Sequence, residues 1–421
     1  MRILVYPHSM SLGGSQLNAL ELAAAVQDLG HEMVVFAQDG PLVRRCATLG
    51  LEVLPAPEPR RRPSPAVVNA LLHRIDRAGM DILHGYEWPP ALECVLASRL
   101  RPASRAVATV LSMAVAPFIP RQVPLLVGTH QIAAAERDVG RLMVGVMEPP
   151  VDLTVNRPGL DVGEDAFRAR WSLHPAIPTI VLVSRLAQEL KLEGILTAMD
   201  TVSTLSAIVP LQLVVVGGGP AESDVSRHAE RINRATGRRT VILTGALDDP
   251  RPAYSVADVA LGMGGSALRA MAFGKPLVVQ GERGYWKLLT PESLPEFLWQ
   301  GWYGVGSGAG SGPAHTLAPI LGPLVTGHER RRQLGEFALA TVQERFSLEL
   351  AARAQVRFYE DALGSAARRS SYGDAAAGGR FLRHQAIRRS RQLVGRAADE
   401  DFNARPVAAR QDFASPSRVP G

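Results

Sequence analysis

LQLVVVGGGP (211–220) and GMGGSALRAMAFGKPLVV (262–279) are the stretches whose reading decides the fold of this chain. In each, a glycine-rich loop sits against a helix start and an apolar strand. That order brings backbone N–H groups and the positive end of a helix toward an anion. Upstream, IVLVSRLAQELKLEGI (180–195) places two cations, Arg185 and Lys191, just after another apolar strand. Six residues apart, they converge on one anion only if the intervening loop curls, which Ala187, Gln188 and Glu189 permit. Two solvated surface charges are the alternative.

Working outward, the same alternation runs through the chain. MRILVYPHSMSLGGSQLNALELAAAVQDLGHEMVVFA (1–37) reads as strand, glycine loop, long helix, Gly30 stop and second strand, with Ser15 as the expected helix cap. Further strands are expected at 50–54, 81–84 and 106–110. PLLVGTHQIAAAERD (124–138) repeats the strand-then-helix order. Pro149, Pro150 and Pro158 interrupt it and mark an inter-domain crossing. It restarts at 179–183 and continues through 214–216, 240–243 and 276–279. Short apolar strands alternating with helices predict parallel sheets covered on both faces. The segment 335–363 reads as helical, broken near Phe346 and Ser347, and 305–313 (VGSGAGSGP) as a surface loop.

At 421 residues the chain fits two domains and a tail. No apolar run approaches the roughly 20 residues that span a bilayer. The opening strand lacks a cleavage-type site, so a cytoplasmic start is expected. Cys46 and Cys94 stand far apart, which favours two buried thiols over a disulfide or a zinc site. The net charge of +6 lies wholly in 365–421, where eleven arginines face five acidic residues. That tail has no zinc-finger, helix-turn-helix or aromatic-platform pattern, so nucleic acid is not an expected partner.

In open parallel sheets, ligands bind outside the carboxyl ends of the strands. In the second half, the residues there are Arg185 and Lys191, then Gly217, Gly218 and Gly219, then Gly264, Gly265 and Ser266, the last as expected helix cap. Glu282, in the loop after the strand 277–279, is a further candidate for holding a hydroxyl. The triple glycine is no dinucleotide fingerprint, because the third glycine of G-x-G-x-x-G would fall on Glu222. In the first half, Gly13 and Gly14 open a helix and allow close backbone approach. His8, His84, Tyr86, Glu87 and Trp88 are candidates on the acceptor side, each with a structural role as the competing reading.

GGSQ near the N-terminus, SRLAQELK, VVVGGGP, YSVADV and GSALRAMAFGKPLVV together resemble the retaining glycosyltransferases of family 4 (glycosyl transferases group 1), from about residue 1 to 363. The resemblance implies an α/β chain of GT-B architecture, with two doubly wound Rossmann-like domains facing a cleft. It implies an acceptor-binding domain at 1–150 and a nucleotide-sugar domain at 151–345. A closing helix at 346–364 crosses back to the first domain, and a basic, disordered tail covers 365–421. Arg185 and Lys191 resemble the catalytic, diphosphate-binding pair. The glycines, Ser266 and Glu282 would serve the donor, with no cofactor and no metal. Two departures stand out. Leu261 and Arg269 occupy the places of the family's paired glutamates, and Leu111 and Ser112 replace a histidine common after the first domain's VATV-like strand. Two readings besides sugar transfer to a hydroxyl therefore stay open: a nucleotide-sugar-binding protein without catalysis, and a nucleotide-sugar epimerase of the same fold. Within the tail, FLRHQAIRRSRQLV (381–394) reads as a short basic amphipathic helix, and the arginines imply either weak contact with an anionic membrane or a solvated extension.

Overall fold

A computed structural model describes residues 1–308, 316–365 and 371–393. Residues 309–313 of the glycine loop, and 366–370 and 394–421 of the tail, lie outside the described residues. The chain passes from one compact unit to another between Glu148 and Pro149 and returns between Ser347 and Leu348. Both crossings fall within three residues of the boundaries expected from the prolines and from Phe346.

The first unit is built on β1 (Arg2–Tyr6), β2 (Glu32–Ala37), β3 (Glu52–Pro55), β4 (Ile82–Tyr86), β5 (Arg105–Val110), β6 (Leu125–Val127) and β7 (Val144–Val146). They form one sheet in the order β3-β2-β1-β4-β5-β6-β7, every pair parallel. The helices between them are α1 (Gly14–Asp28), α2 (Val43–Thr48), α3 (Pro65–Ala78), α4 (Trp88–Leu100) and α5 (His130–Asp138). Local chemistry sets several ends. Ser64 caps α3 by accepting from the Val67 amide, Pro65 opens it, and Gly79 stops it in the left-handed region (φ 62°). Thr129 caps α5 in the same way. The cap of α1 is Gly13, not Ser15, whose hydroxyl is used elsewhere.

The same unit receives the end of the chain. α14 (Leu348–Gly364) lays Ala352, Tyr359 and Ala362 into the core beside Leu20 and Val26 of α1. At Gly145 of β7 a Cβ would stand 2.7 Å from Leu126 Cδ2 and 3.1 Å from the Phe358 ring, so the glycine leaves room for α14 to close on the sheet. α15 (Ser371–Leu393) follows, so the helix read at 381–394 begins ten residues earlier and this part of the tail is ordered. The reason is a stripe the sequence did not reveal: Asp374, Ala377, Phe381 and His384 recur at helical spacing and face the unit. Ala377 is buried, Phe381 packs on Trp88 and Phe118, and Asp374 pairs with Arg99.

The second unit has β8 (Thr179–Val183), β9 (Gln212–Val216), β10 (Val241–Gly245), β11 (Val259–Gly262), β12 (Leu277–Gln280) and β13 (Trp286–Leu288), in the order β10-β9-β8-β11-β12-β13. Only β13 runs antiparallel. Around it lie α6 (Glu164–Trp171), α7 (Leu192–Ser206), α8 (Glu222–Thr236), α9 (Arg251–Val256), α10 (Gly265–Ala272), α11 (Leu294–Gln300), α12 (Ala318–Thr326) and α13 (His328–Arg345). Strand order reverses at β8 and β11 here, and at β1 and β4 in the first unit. At such points connections leave to opposite faces and open a crevice at the strand ends.

Candidate active site

The loops after β8, β9, β11 and β12 make one constellation at the carboxyl edge of the second sheet. Its foundation is backbone against backbone. The Ser184 amide donates to Val216 O, Leu186 N to Gly218 O and Ala221 N to Leu186 O, at 3.0, 3.0 and 2.9 Å. This explains the triple glycine. A Cβ on Gly217 (φ 150°) would lie 1.8 Å from Ser184 O, and one on Gly219 (φ 149°) 2.6 Å from Leu186 O. Both glycines therefore exist to let the two loops touch. Gly218 has more room, its nearest neighbour being Ala246 at 3.4 Å.

The β8 loop then curls through Leu190, a non-glycine residue in the left-handed region (φ 64°), and delivers Lys191 to the start of α7. Such strain persists only where surroundings impose it. Gln280, buried at the end of β12, donates to Lys191 O at 3.0 Å, and Gly194 leaves room for it, since a Cβ there would meet Gln280 Nε2 at 2.2 Å. Glu193 accepts from the amides of Arg283 and Gly284 at 2.9 and 2.7 Å, tying the loop after β12 to the same turn. Burial, with the positive charge of Arg185 adding to it, pushes the Lys191 ammonium down to about 7. The curl thus sets Lys191 within reach of the Arg185 charge.

Gly264 (φ 56°) is the cap of α10, with its amide donating to Trp302 O at 2.8 Å. Ser266 is not the cap: it lies inside the first turn, where its hydroxyl donates to Met263 O at 3.0 Å. Gly265 begins the helix. Leu261 is buried within β11, between Leu182 and Val278, whereas Arg269 is half-buried one turn into α10. Glu282 is half-buried and accepts from the Tyr303 hydroxyl, while its amide donates to Gly304 O. It is an anchor of the 281–285 turn in this structure.

In the first unit the reversal point lies between the loops after β1 and β4, and Glu87 joins them. Its backbone is held at φ 66°, ψ 174°, a region that L side chains avoid. The buried carboxylate accepts from Ser15 Oγ (3.2 Å), Leu111 N (3.0 Å) and Ser112 Oγ (2.7 Å). It therefore knots the Gly13–Gly14 helix start to the segment where a histidine was expected. His8 stands beside Gln16, their side-chain nitrogens 3.0 Å apart. Gly14 meets no neighbour within contact distance of an added Cβ, whereas Gly13 faces the Gln16 side chain.

Besides Glu87, two of the acceptor-side candidates are buried and a third, Trp88, is half-buried. His84 is fully buried between Tyr359 Oη and Thr109 Oγ1, both at 2.7 Å, and burial lowers it to about 3. Tyr86 is buried beside it, its phenol raised by burial. Trp88 packs edge-on against Phe118. For His84 and Tyr86 the cause is the strand they share: a parallel strand covered on both faces buries every residue, so no alternation separates an inward histidine from an outward one. Gln280 and Glu193, conversely, carried no motif. The only signal was a polar residue closing the apolar run LVVQ and a carboxylate in the first turn after Lys191.

The reversal point of this parallel sheet thus carries two cations, Arg185 and Lys191, beside glycine-lined loops. A family model described as "Glycosyltransferase Family 4" matches residues 12–134, and one described as "Glycosyl transferases group 1" matches residues 177–290, together over half of the chain. The chain belongs to the group 1 glycosyltransferases and has the GT-B fold. Similar solved structures include a glycosyltransferase from Rickettsia africae (15% identity, 87% of this chain and 99% of that one, TM-score 0.69). Another is HepE from Anabaena in complex with UDP-glucose (14% identity, 86% and 100%, TM-score 0.69). A third is an S. aureus MnaA–UDP complex (12% identity, 86% and 98%, TM-score 0.57). No curated protein matches the sequence.

Proposed function

We propose that this glycosyltransferase takes its sugar from a nucleotide diphosphate sugar and places it on an acceptor hydroxyl, with retention of configuration and without a metal ion. The observation that carries the reading is that Arg185 and Lys191 stand on one loop at the reversal point of the second sheet, near enough for the charge of Arg185 to act on Lys191. Breaking a sugar–diphosphate bond builds negative charge on the departing oxygens. Two cations fixed beside that position stabilise it without reorganising. Amides at the start of α10 and around Gly218 suit the remaining phosphate oxygens. UDP or UDP-glucose is bound in several structures of the same fold, which supports the donor class.

A second reading, nucleotide-sugar binding without transfer, is favoured by Leu261, an apolar side chain in the sheet interior where the family carries a glutamate. The two are separated by incubating the protein with UDP-, GDP- and ADP-sugars, with and without a panel of alcohol acceptors, in EDTA. Nucleotide release that requires an acceptor supports transfer. An isomerised, intact donor identifies an epimerase, and binding alone identifies the second reading. Losing one preorganised donor of this kind costs about 10²–10³-fold in rate, so Arg185→Ala with Lys191→Ala is expected to lose at least that much turnover. Unchanged turnover would remove the pair from the mechanism.

A further inference from the structure

We propose that the outer face of α15 is a docking surface for an anionic phospholipid bilayer. The inner face of this helix is fully engaged: Phe381 and His384 lie on Phe118, and Arg380 Nε donates to Pro117 O at 2.6 Å. The opposite side leaves Leu382 70% and Ile387 40% exposed, with Arg383 and Arg389 also exposed between and beside them. At 100° per residue, Leu382 and Ile387 flank a strip formed by Gly379, Ala386 and Ser390, from which Arg383 projects.

No acidic residue opposes these arginines on the described helix. Its single carboxylate, Asp374, is taken by Arg99 and Gln122, at 3.1 and 2.7 Å. The positive surface continues onto the unit below. Exposed Arg121 acts with Arg380 on the buried Arg141, and Leu142 next to it is 63% exposed. Apolar tips among cations are what an interfacial helix presents to acyl chains and headgroups together. Among the described residues no helix is long and apolar enough to cross a membrane, so contact through this face is peripheral.

The alternatives fit the same face less well. A two-fold partner copy would set Arg383 and Arg389 against their own equivalents, and like charges across an interface repel. A nucleic acid would satisfy the arginines and leave Leu382 and Ile387 in water. An anionic bilayer serves both kinds of residue.

The test is sedimentation of the full chain with vesicles of phosphatidylcholine alone and of phosphatidylcholine mixed with phosphatidylglycerol. Binding is expected only to the mixed vesicles, and it is expected to weaken with added salt. Arg383→Glu with Arg389→Glu should lower the partition by about tenfold or more, and Leu382→Glu with Ile387→Glu should abolish it. Because all four side chains are exposed, the thermal transition of each double variant should match the parent. Equal sedimentation of parent and variants overturns the proposal. So does a parent that ignores anionic vesicles and instead self-associates through these residues.

Discussion

Lys191 sets the pH behaviour of the site. Its ordinary value of 10.5 falls to about 7 in the folded protein. Between these values the unfolded chain holds a proton that the folded one has released, so stability should rise with pH across that window. Below about 7 both states are charged and the full cost of the crowded ammonium is present. A diphosphate beside it reverses the cost by favouring the charged form. Binding of UDP near pH 8 should therefore take up protons, measurable as a dependence of calorimetric enthalpy on buffer ionisation. Lys191→Met should erase the uptake and flatten the rise of melting temperature with pH, leaving the part that comes from Lys275, whose ammonium is also lowered by burial. His84 acts in the other window: lowered to about 3, it leaves the unfolded chain with more protons below about 6.5, so stability falls as pH drops toward 3. Glu87 is a different case, a carboxylate spent on three donors rather than on chemistry. Glu87→Ala strands the Leu111 amide and is expected to destabilise the first unit by about 1–3 kcal/mol in urea unfolding.

Elements explain which parts of this architecture were legible. β8, β9, β10 and β12 are apolar runs closed by glycine or polar residues, and their order in the sequence pointed to the parallel sheet, whereas β11 (Val259–Gly262) was not among the expected strands. β13 escaped because three residues after a turn carry no periodicity, and β7 (VGV) is only half-buried. In the site, the loops were readable because strand ends announce them. What fills them was less so, because the triple glycine serves loop-to-loop contact, and neither the turn at Leu190 nor its tie to Gln280 has a sequence signature. Contact between the β8 and β9 loops leads to a contrast between neighbouring glycines. Gly217→Ala forces a Cβ to within 1.8 Å of Ser184 O and should cost on the order of 3 kcal/mol, whereas Gly218→Ala, with 3.4 Å available, should cost less than about 1 kcal/mol. Denaturant unfolding of the two variants checks this, and equal costs would mean that the loops part freely.

At the scale of the whole molecule, the chain's end belongs to its beginning. α14 supplies Tyr359 to the buried His84 and Phe358 to the Gly145 surface, and α15 covers Trp88 and Phe118, all within the first unit. Arg185, Lys191 and the glycine loops stand in the other unit, which closes on its own sheet between Pro149 and Ser347. A deletion at the C-terminus should therefore damage the unit most distant from it in sequence. Removing residues 365–421 strips the Phe381 ring and Ala377 from the first unit, and Phe381→Ala alone should cost about 1–2 kcal/mol, since the ring is partly buried. Hydrogen exchange on the truncated chain should show lost protection in α4 and around Phe118, with amides of β8, β9 and β11 unchanged. UDP should still protect the 184–191 turn in that variant. Loss of protection in the second sheet, or of the nucleotide effect, would show that α15 supports the donor site rather than the first unit alone.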